Sequence, residues 1–133
     1  DFYDDYAHHP TEVSMVMEGV SKGYKGYEKV CVFQPHRISR LKDLRKEFSF
    51  AFRNADLVIL CPIYSAGEKI NLGFDYLDFA KEIIKNSKVK LFLVENNFQL
   101  AKFIKKNMYG KKIVIGMGAG TISNWMRKLP ELM

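Results

Sequence analysis

Two rhythms of apolar and polar positions alternate along this chain. Lys29-Val30-Cys31-Val32-Phe33-Gln34, Asp56-Leu57-Val58-Ile59-Leu60-Cys61, Val89-Lys90-Leu91-Phe92-Leu93-Val94 and Lys112-Ile113-Val114-Ile115 are short runs rich in β-branched and aromatic residues. That is the pattern of strands buried on both faces. Between them the apolar residues recur every three or four positions. Leu41, Leu44, Phe48 and Phe52 predict a helix over residues 41–54, and Phe74, Leu77, Ile83 and Ile84 give an apolar face to one over 75–86. Further helices are expected near residues 10–22, over 97–108 with Asn96 or Asn97 as its cap, and from 121 to about 128. Phe2 to Tyr6 reads as the end of one more strand, Gly23 and Gly26 as a helix stop and a turn, and Pro62 as the close of a strand. Strand then helix, repeated about five times, predicts an α/β fold: a doubly wound, mostly parallel sheet with helices on both faces.

Composition changes this picture little. A chain of 133 residues makes one domain large enough to bury a core. Its 47% hydrophobic and 27% charged residues are ordinary for a globular protein. The longest nearly apolar run, residues 55–64, is interrupted by Asp56 and Pro62 and is too short to span a bilayer. The acidic start does not read as a signal peptide, and a first residue other than Met fits a piece of a longer protein. Cys31 and Cys61 lie inside strand-like runs, which suits two buried thiols in a reducing cytoplasm better than a disulfide framework. The formal charge of +6 owes much to Lys102, Lys105, Lys106, Lys111 and Lys112. It favours anionic ligands, but a solvated surface explains it as well. No aromatic-and-basic stacking motif stands beside these lysines, so nucleic acid is not an expected partner.

The chemistry gathers where a parallel sheet would hold it. Ligands of open α/β sheets bind outside the carboxyl ends of the strands, so the polar groups that matter should follow strands. Four segments do: Asp5-Tyr6-Ala7-His8-His9, Gln34-Pro35-His36-Arg37, Tyr64-Ser65-Ala66-Gly67-Glu68 and Gly116-Met117-Gly118-Ala119-Gly120. The first runs on into Pro10 and Glu12, which suit a first helical turn. Arg37 and Arg40 are three residues apart at a helix start and can make a fork for a carboxylate or phosphate. They can equally be surface arginines bonding Asp43 or Glu47. His8, His9 and His36 lack the spacing of a metal site, and no metal is expected on this chain. The glycine-rich segment lacks GxGxxG spacing, so a tight turn bringing a helix close to the sheet competes with a dinucleotide reading. There is no GxxxxGK[ST] loop and no nucleophile elbow, and both cysteines lie within strands. The chain offers binding groups and no complete catalytic machine, so no catalytic residue is assigned.

Asp4-Asp5-Tyr6-Ala7-His8-His9-Pro10-Thr11-Glu12 resembles the opening of the C-terminal domain of the Mur ligase family. Gln34-Pro35-His36-Arg37 with Ser39-Arg40 looks like the signature of the branch that joins L-alanine to UDP-N-acetylmuramate. Tyr64-Ser65-Ala66-Gly67-Glu68 and Gly118-Ala119-Gly120-Thr121-Ile122 are similar to that branch's later motifs. Ile38 and Thr121 depart from it, standing where an aromatic and an Asn or Asp are usual. The resemblance covers essentially the whole chain and implies a Rossmann-like, amino-acid-binding domain over residues 1–133, with the UDP-sugar and ATP domains outside it. It implies an ADP-forming ligase of peptidoglycan synthesis, cytoplasmic and not membrane-bound. ATP would be a substrate, and Mg2+ would be bound mainly by the missing central domain. It further implies that Asp5, with Asp4, contacts the ATP ribose, and that Tyr6, His8, His36, Arg37 and Arg40 surround L-alanine. The isolated domain would then be inactive. A tripeptide-recycling ligase of the same family, and a non-catalytic α/β anion-binding module, are the alternatives.

Overall fold

The computed structural model describes residues 2–5, 8–35, 38–62, 76–107, 110–118 and 121–133, without the side chains of Phe2, Asp4, Ile38, Ser39 and Arg40. Within them the chain runs β1 (Phe2–Asp5), α1 (Pro10–Gly23), β2 (Glu28–Phe33), α2 (Ile38–Asp43), α3 (Arg45–Phe50), β3 (Leu57–Leu60), α4 (Tyr76–Ser87), β4 (Lys90–Leu93), α5 (Asn97–Asn107), β5 (Lys112–Met117) and α6 (Ile122–Leu132). The five strands form one sheet in the order β1-β5-β2-β3-β4. Every pairing is parallel, with Val30 opposite both Leu57 and Val114.

Alternation within the strands splits the core into two layers. Cys31, Phe33, Val58, Leu60, Ile113, Ile115 and Met117 face one side, against Val13 and Met17 of α1, Phe48 of α3, and Phe79 and Ile83 of α4. Val30, Val32, Leu57, Ile59 and Val114 face the other, against Leu100 and Ile104 of α5 and Ile122, Met126 and Leu129 of α6. Both faces of β2, β3 and β5 are covered, which is why those strands are continuously apolar. Strand β4, expected to be buried alike, is the edge strand and leaves Phe92 and Leu93 exposed. The chain steps β1 to β4 in one direction with helices on the first face. It then returns to β5 with α5 on the second, as crossovers of one handedness require. The doubly wound expectation holds, with all pairings parallel.

Several boundaries differ from those predicted, for physical reasons. The helix expected over 41–54 begins at Ile38 and breaks at Leu44, whose φ of −112° and ψ of 18° leave the helical region. The break keeps Leu41, Phe48 and Phe52 all buried, so the apolar spacing runs on through it. In α4 the buried face is Phe79, Ala80 and Ile83, whereas Leu77 and Ile84 are exposed. The period was right and the phase was off by part of a turn; Phe74 lies outside the described residues. Helix α6 continues past Lys128 through Pro130, because Leu129 is anchored in the core and Met133 N–H bonds its carbonyl at 3.1 Å. Asn96, one of the two expected caps of α5, accepts from Gln99 N–H at 2.9 Å.

Candidate functional site

The strand order places the ends of β1, β5 and β2 side by side, and the chain leaves β1 and β5 toward opposite faces of the sheet. That divergence is the switch point where open parallel sheets hold ligands. Three of the four expected segments meet there.

Backbone hydrogen bonds tie the three strand ends together. Gly118 N–H donates to the Asp5 carbonyl at 3.2 Å, and Gln34 N–H donates to the Met117 carbonyl at 3.0 Å. Gly118 has φ +152°, and a Cβ there would stand 2.8 Å from the Gln34 carbonyl and 2.9 Å from Ile122 Cγ2. Only glycine allows the strand ends and α6 to close so tightly. A Cβ on Gly116 would stand 2.3 Å from Met126 Cγ, so that glycine admits α6 onto β5. The turn-and-packing account of this glycine-rich segment therefore holds for Gly116 and Gly118; Ala119 and Gly120 lie outside the described residues.

Gln34 joins the same junction from β2. Its side-chain oxygen accepts from Ile122 N–H at 2.9 Å, and its amide nitrogen donates to Thr121 Oγ1 at 2.8 Å. Thr121 is the N-cap of α6 but makes no side-chain cap bond of its own, so Gln34 caps the helix in its place. Sequence reasoning passed over Gln34 as a binding residue. The available signal was an amide at the end of an otherwise apolar strand, where a buried polar group needs partners.

The first helix is capped by a device that composition alone did not disclose. His9 Nδ1 accepts from Thr11 N–H at 3.2 Å, and Glu12 Oε1 accepts from His9 N–H at 3.0 Å. The two form a capping box with a histidine in the place usually held by Ser or Thr. The His9 N–H holds the Glu12 carboxyl below its usual range; burial partly opposes it, and the His8 N–H adds to the lowering. His8 Nδ1 stands 3.7 Å from Glu12 Oε1, with its side chain 24% exposed. One neighbour of the His8 ring is thus the α1 cap.

The predicted site residues fall as follows. Asp5 ends β1 with its side chain exposed, and it lines a cleft of about 230 Å3 with Tyr3, Val16, Val20, Tyr24, Ile113 and Ile115. Asp4 lies in β1 and Arg40 in α2, both known by backbone position only. Tyr6, His36 and Arg37 lie outside the described residues, as does the Tyr64-Ser65-Ala66-Gly67-Glu68 segment. The junction therefore brings the roots of three segments together, while the arginine fork is neither assembled nor taken apart by the described atoms. Among the described residues no group of three or more His, Cys, Asp or Glu could hold a metal ion, so no step is assigned to one. No described helix is long and apolar enough to cross a membrane.

Two other features carry no ligand chemistry of this kind. A groove of about 530 Å3 lined by Gly26, Tyr27, Glu28, Lys29, Asp56 and Lys90 lies at the amino ends of the strands, opposite the switch point. Cys31 and Cys61 are free and buried. Burial pushes the Cys61 thiol up to about 12. Burial first, and then the neighbouring Cys61, pushes Cys31 well above its ordinary value. Neither is a ready thiolate.

Comparison with known proteins fits this geometry. The family model described as "Mur ligase, glutamate ligase domain" matches residues 1–120. The chain is 70% identical over 99% of its length to the UDP-N-acetylmuramate–L-alanine ligase of Pelagibacter ubique, and 37% identical over 92% to that of Protochlamydia amoebophila. It spans only 28% and 27% of those two relatives. In fold, it superposes on a UDP-N-acetylmuramate–alanine ligase from Thermotoga maritima with a TM-score of 0.73, at 24% identity, covering 98% of this chain and 26% of that one. A murein peptide ligase from Psychrobacter arcticus gives a TM-score of 0.75 at 14% identity, covering 98% of this chain and 27% of that one. Matched by the family model over residues 1–120 and 70% identical to a named relative along nearly its whole length, this chain belongs to the Mur ligase family, as its C-terminal, glutamate ligase domain.

Proposed function

We propose that this chain is the amino-acid-binding domain of an ADP-forming, cytoplasmic ligase that joins L-alanine to UDP-N-acetylmuramate in peptidoglycan synthesis. The observation that carries the reading is the 70% identity over 99% of the chain to a relative of that name. The whole enzyme would also contain the UDP-sugar and ATP domains, since the chain spans about a quarter of its relatives' length.

In this reading, the muramyl carboxylate takes the terminal phosphoryl group of ATP and ADP is released. The alanine amine, having given up its ammonium proton, attacks the acyl carbon, and phosphate leaves as the amide forms. Alanine is a zwitterion, so it needs a cationic clamp at one end and a free amine at the other. Arg37 and Arg40 hold its carboxylate, and Tyr6, His8 and His36 surround the rest. Asp5, with Asp4 beside it, meets the ATP ribose from the end of β1, across β5 from the strand that leads to the arginines. Holding the amine beside the acyl phosphate supplies proximity, which lowers a bimolecular barrier by several kcal/mol. As the family resemblance implies, Mg2+ would be held mainly by the central domain of the full-length enzyme, where it would supply charge neutralisation for the phosphates.

The test is phosphate release by the full-length protein with ATP, UDP-N-acetylmuramate and either L-alanine or a tripeptide. Turnover with L-alanine is expected, and none from the isolated domain. Turnover only with the peptide would move the chain to the recycling branch. Turnover with neither would leave a non-catalytic binding module.

A further inference from the structure

We propose that Gln34 is a positioning residue for L-alanine, its buried amide setting the angle at which the arginine-bearing segment leaves the sheet. The inference rests on the amino-acid-binding role proposed above.

Four residues after Gln34 the chain enters α2, which carries Arg40, and Arg37 lies between. Each residue of a chain leaving a strand has two soft torsions, so its direction of exit must be fixed by contacts. At Gln34 it is fixed four ways. The backbone N–H is bound to the Met117 carbonyl, the side-chain oxygen to Ile122 N–H and the side-chain nitrogen to Thr121 Oγ1. Its carbonyl packs on Gly118, at a position where a Cβ would be 2.8 Å away. The next residue, Pro35, is buried as well. Gln34 is only 3% exposed, so water cannot readily replace a lost partner.

Both ends of the amide are used, which filling space alone would not require. An apolar residue of the same size would keep the volume, orphan Ile122 N–H and release the exit angle. A guanidinium pair reads a carboxylate in a fixed geometry, so a shift of about 1 Å at the segment's root is costly at its tip. The link from β5 to Asp5 is made by the Gly118 N–H and does not pass through the Gln34 side chain. Loss of the amide should therefore act on alanine and spare ATP.

The experiment compares Gln34→Leu, Gln34→Glu and Thr121→Val in the full-length enzyme, with KM measured separately for each substrate. A glutamate can accept from both Ile122 N–H and the Thr121 hydroxyl, which is free to turn and donate. Gln34→Leu is expected to raise KM for L-alanine about five- to tenfold, in line with one lost buried hydrogen bond, with KM for ATP within about twofold. Gln34→Glu should recover most of that loss. Thr121→Val, which removes one partner and leaves the Ile122 bond, should raise the alanine KM by about two- to threefold, and it decides the matter if Gln34→Leu does not fold. Alanine KM unchanged in a folded variant, or all three KM values rising together, would overturn the inference while leaving the ligase assignment intact. A wild type that does not use L-alanine would overturn both.

Discussion

Gly118 shows how much a single position controls in this junction. Its φ of +152° and the 2.8 Å gap to the Gln34 carbonyl leave a side chain no room, and the blocking atom is backbone. Gly118→Ala is expected to cost about 1–3 kcal/mol of stability. Urea denaturation of the domain would show it as a lower midpoint with an unchanged slope; an unchanged midpoint would mean the strand ends are looser than described. Cys61 acts through protons instead. Its thiol is neutral in the fold up to about pH 12, whereas the unfolded chain ionises near 9.0. The unfolded state therefore sheds a proton first, so the stability this thiol confers is complete below pH 9 and is lost as pH rises toward 12. Cys61→Ala should flatten that alkaline decline, Cys31 and Tyr76 supplying what remains, since both are shifted the same way. Stability curves of equal steepness for wild type and variant would contradict it.

Among the elements, the α3–α4 pair holds the helix that follows the arginine segment. Arg45 and Glu82 form an ion pair at 2.8 Å, with side chains 27% and 40% exposed. Deeper in, Ser87 Oγ accepts from Phe52 N–H and donates to the Ser49 carbonyl, and Asn86 Nδ2 donates to Ser49 Oγ. Exposed pairs contribute little because water competes for both charges. A buried N–H left without a partner costs about 1–3 kcal/mol. Ser87→Ala should therefore destabilise the domain more than Glu82→Gln, which should cost under about 1 kcal/mol. Thermal unfolding of the two variants gives the order, and the reverse order would make the ion pair the true clamp.

Element boundaries also show what the sequence could and could not reveal. Strands β2, β3 and β5 were legible because burial on both faces demands unbroken apolar runs, which few other structures do. Helix α4 was legible in period but not in phase, since Leu77 and Ile84 have the same hydrophobicity as the residues that are buried. The break at Leu44 was invisible because the apolar spacing continues across it. His9 as a cap was hidden because histidine is an uncommon capping side chain. Gln34 was hidden because its partners, Thr121 and Ile122, are 87 and 88 residues away. Pairings at that distance leave no local pattern.

At the scale of the molecule, the β1-β5-β2 order turns three distant motifs into neighbours. Inserting β5 between β1 and β2 sets the Asp5 end, the Gly118 turn and the Gln34 root in one line at the carboxyl edge. The cytoplasmic ligase reading needs that line to carry an amino acid on one side and a nucleotide on the other. Removing one arginine should separate the two. In the full-length enzyme, Arg37→Ala is expected to raise KM for L-alanine by at least about tenfold, the scale of one lost charge-assisted bond, with KM for ATP little changed. Steady-state phosphate release across L-alanine and ATP concentrations measures both. An alanine KM unmoved by Arg37→Ala would contradict the carboxylate clamp at the centre of this account.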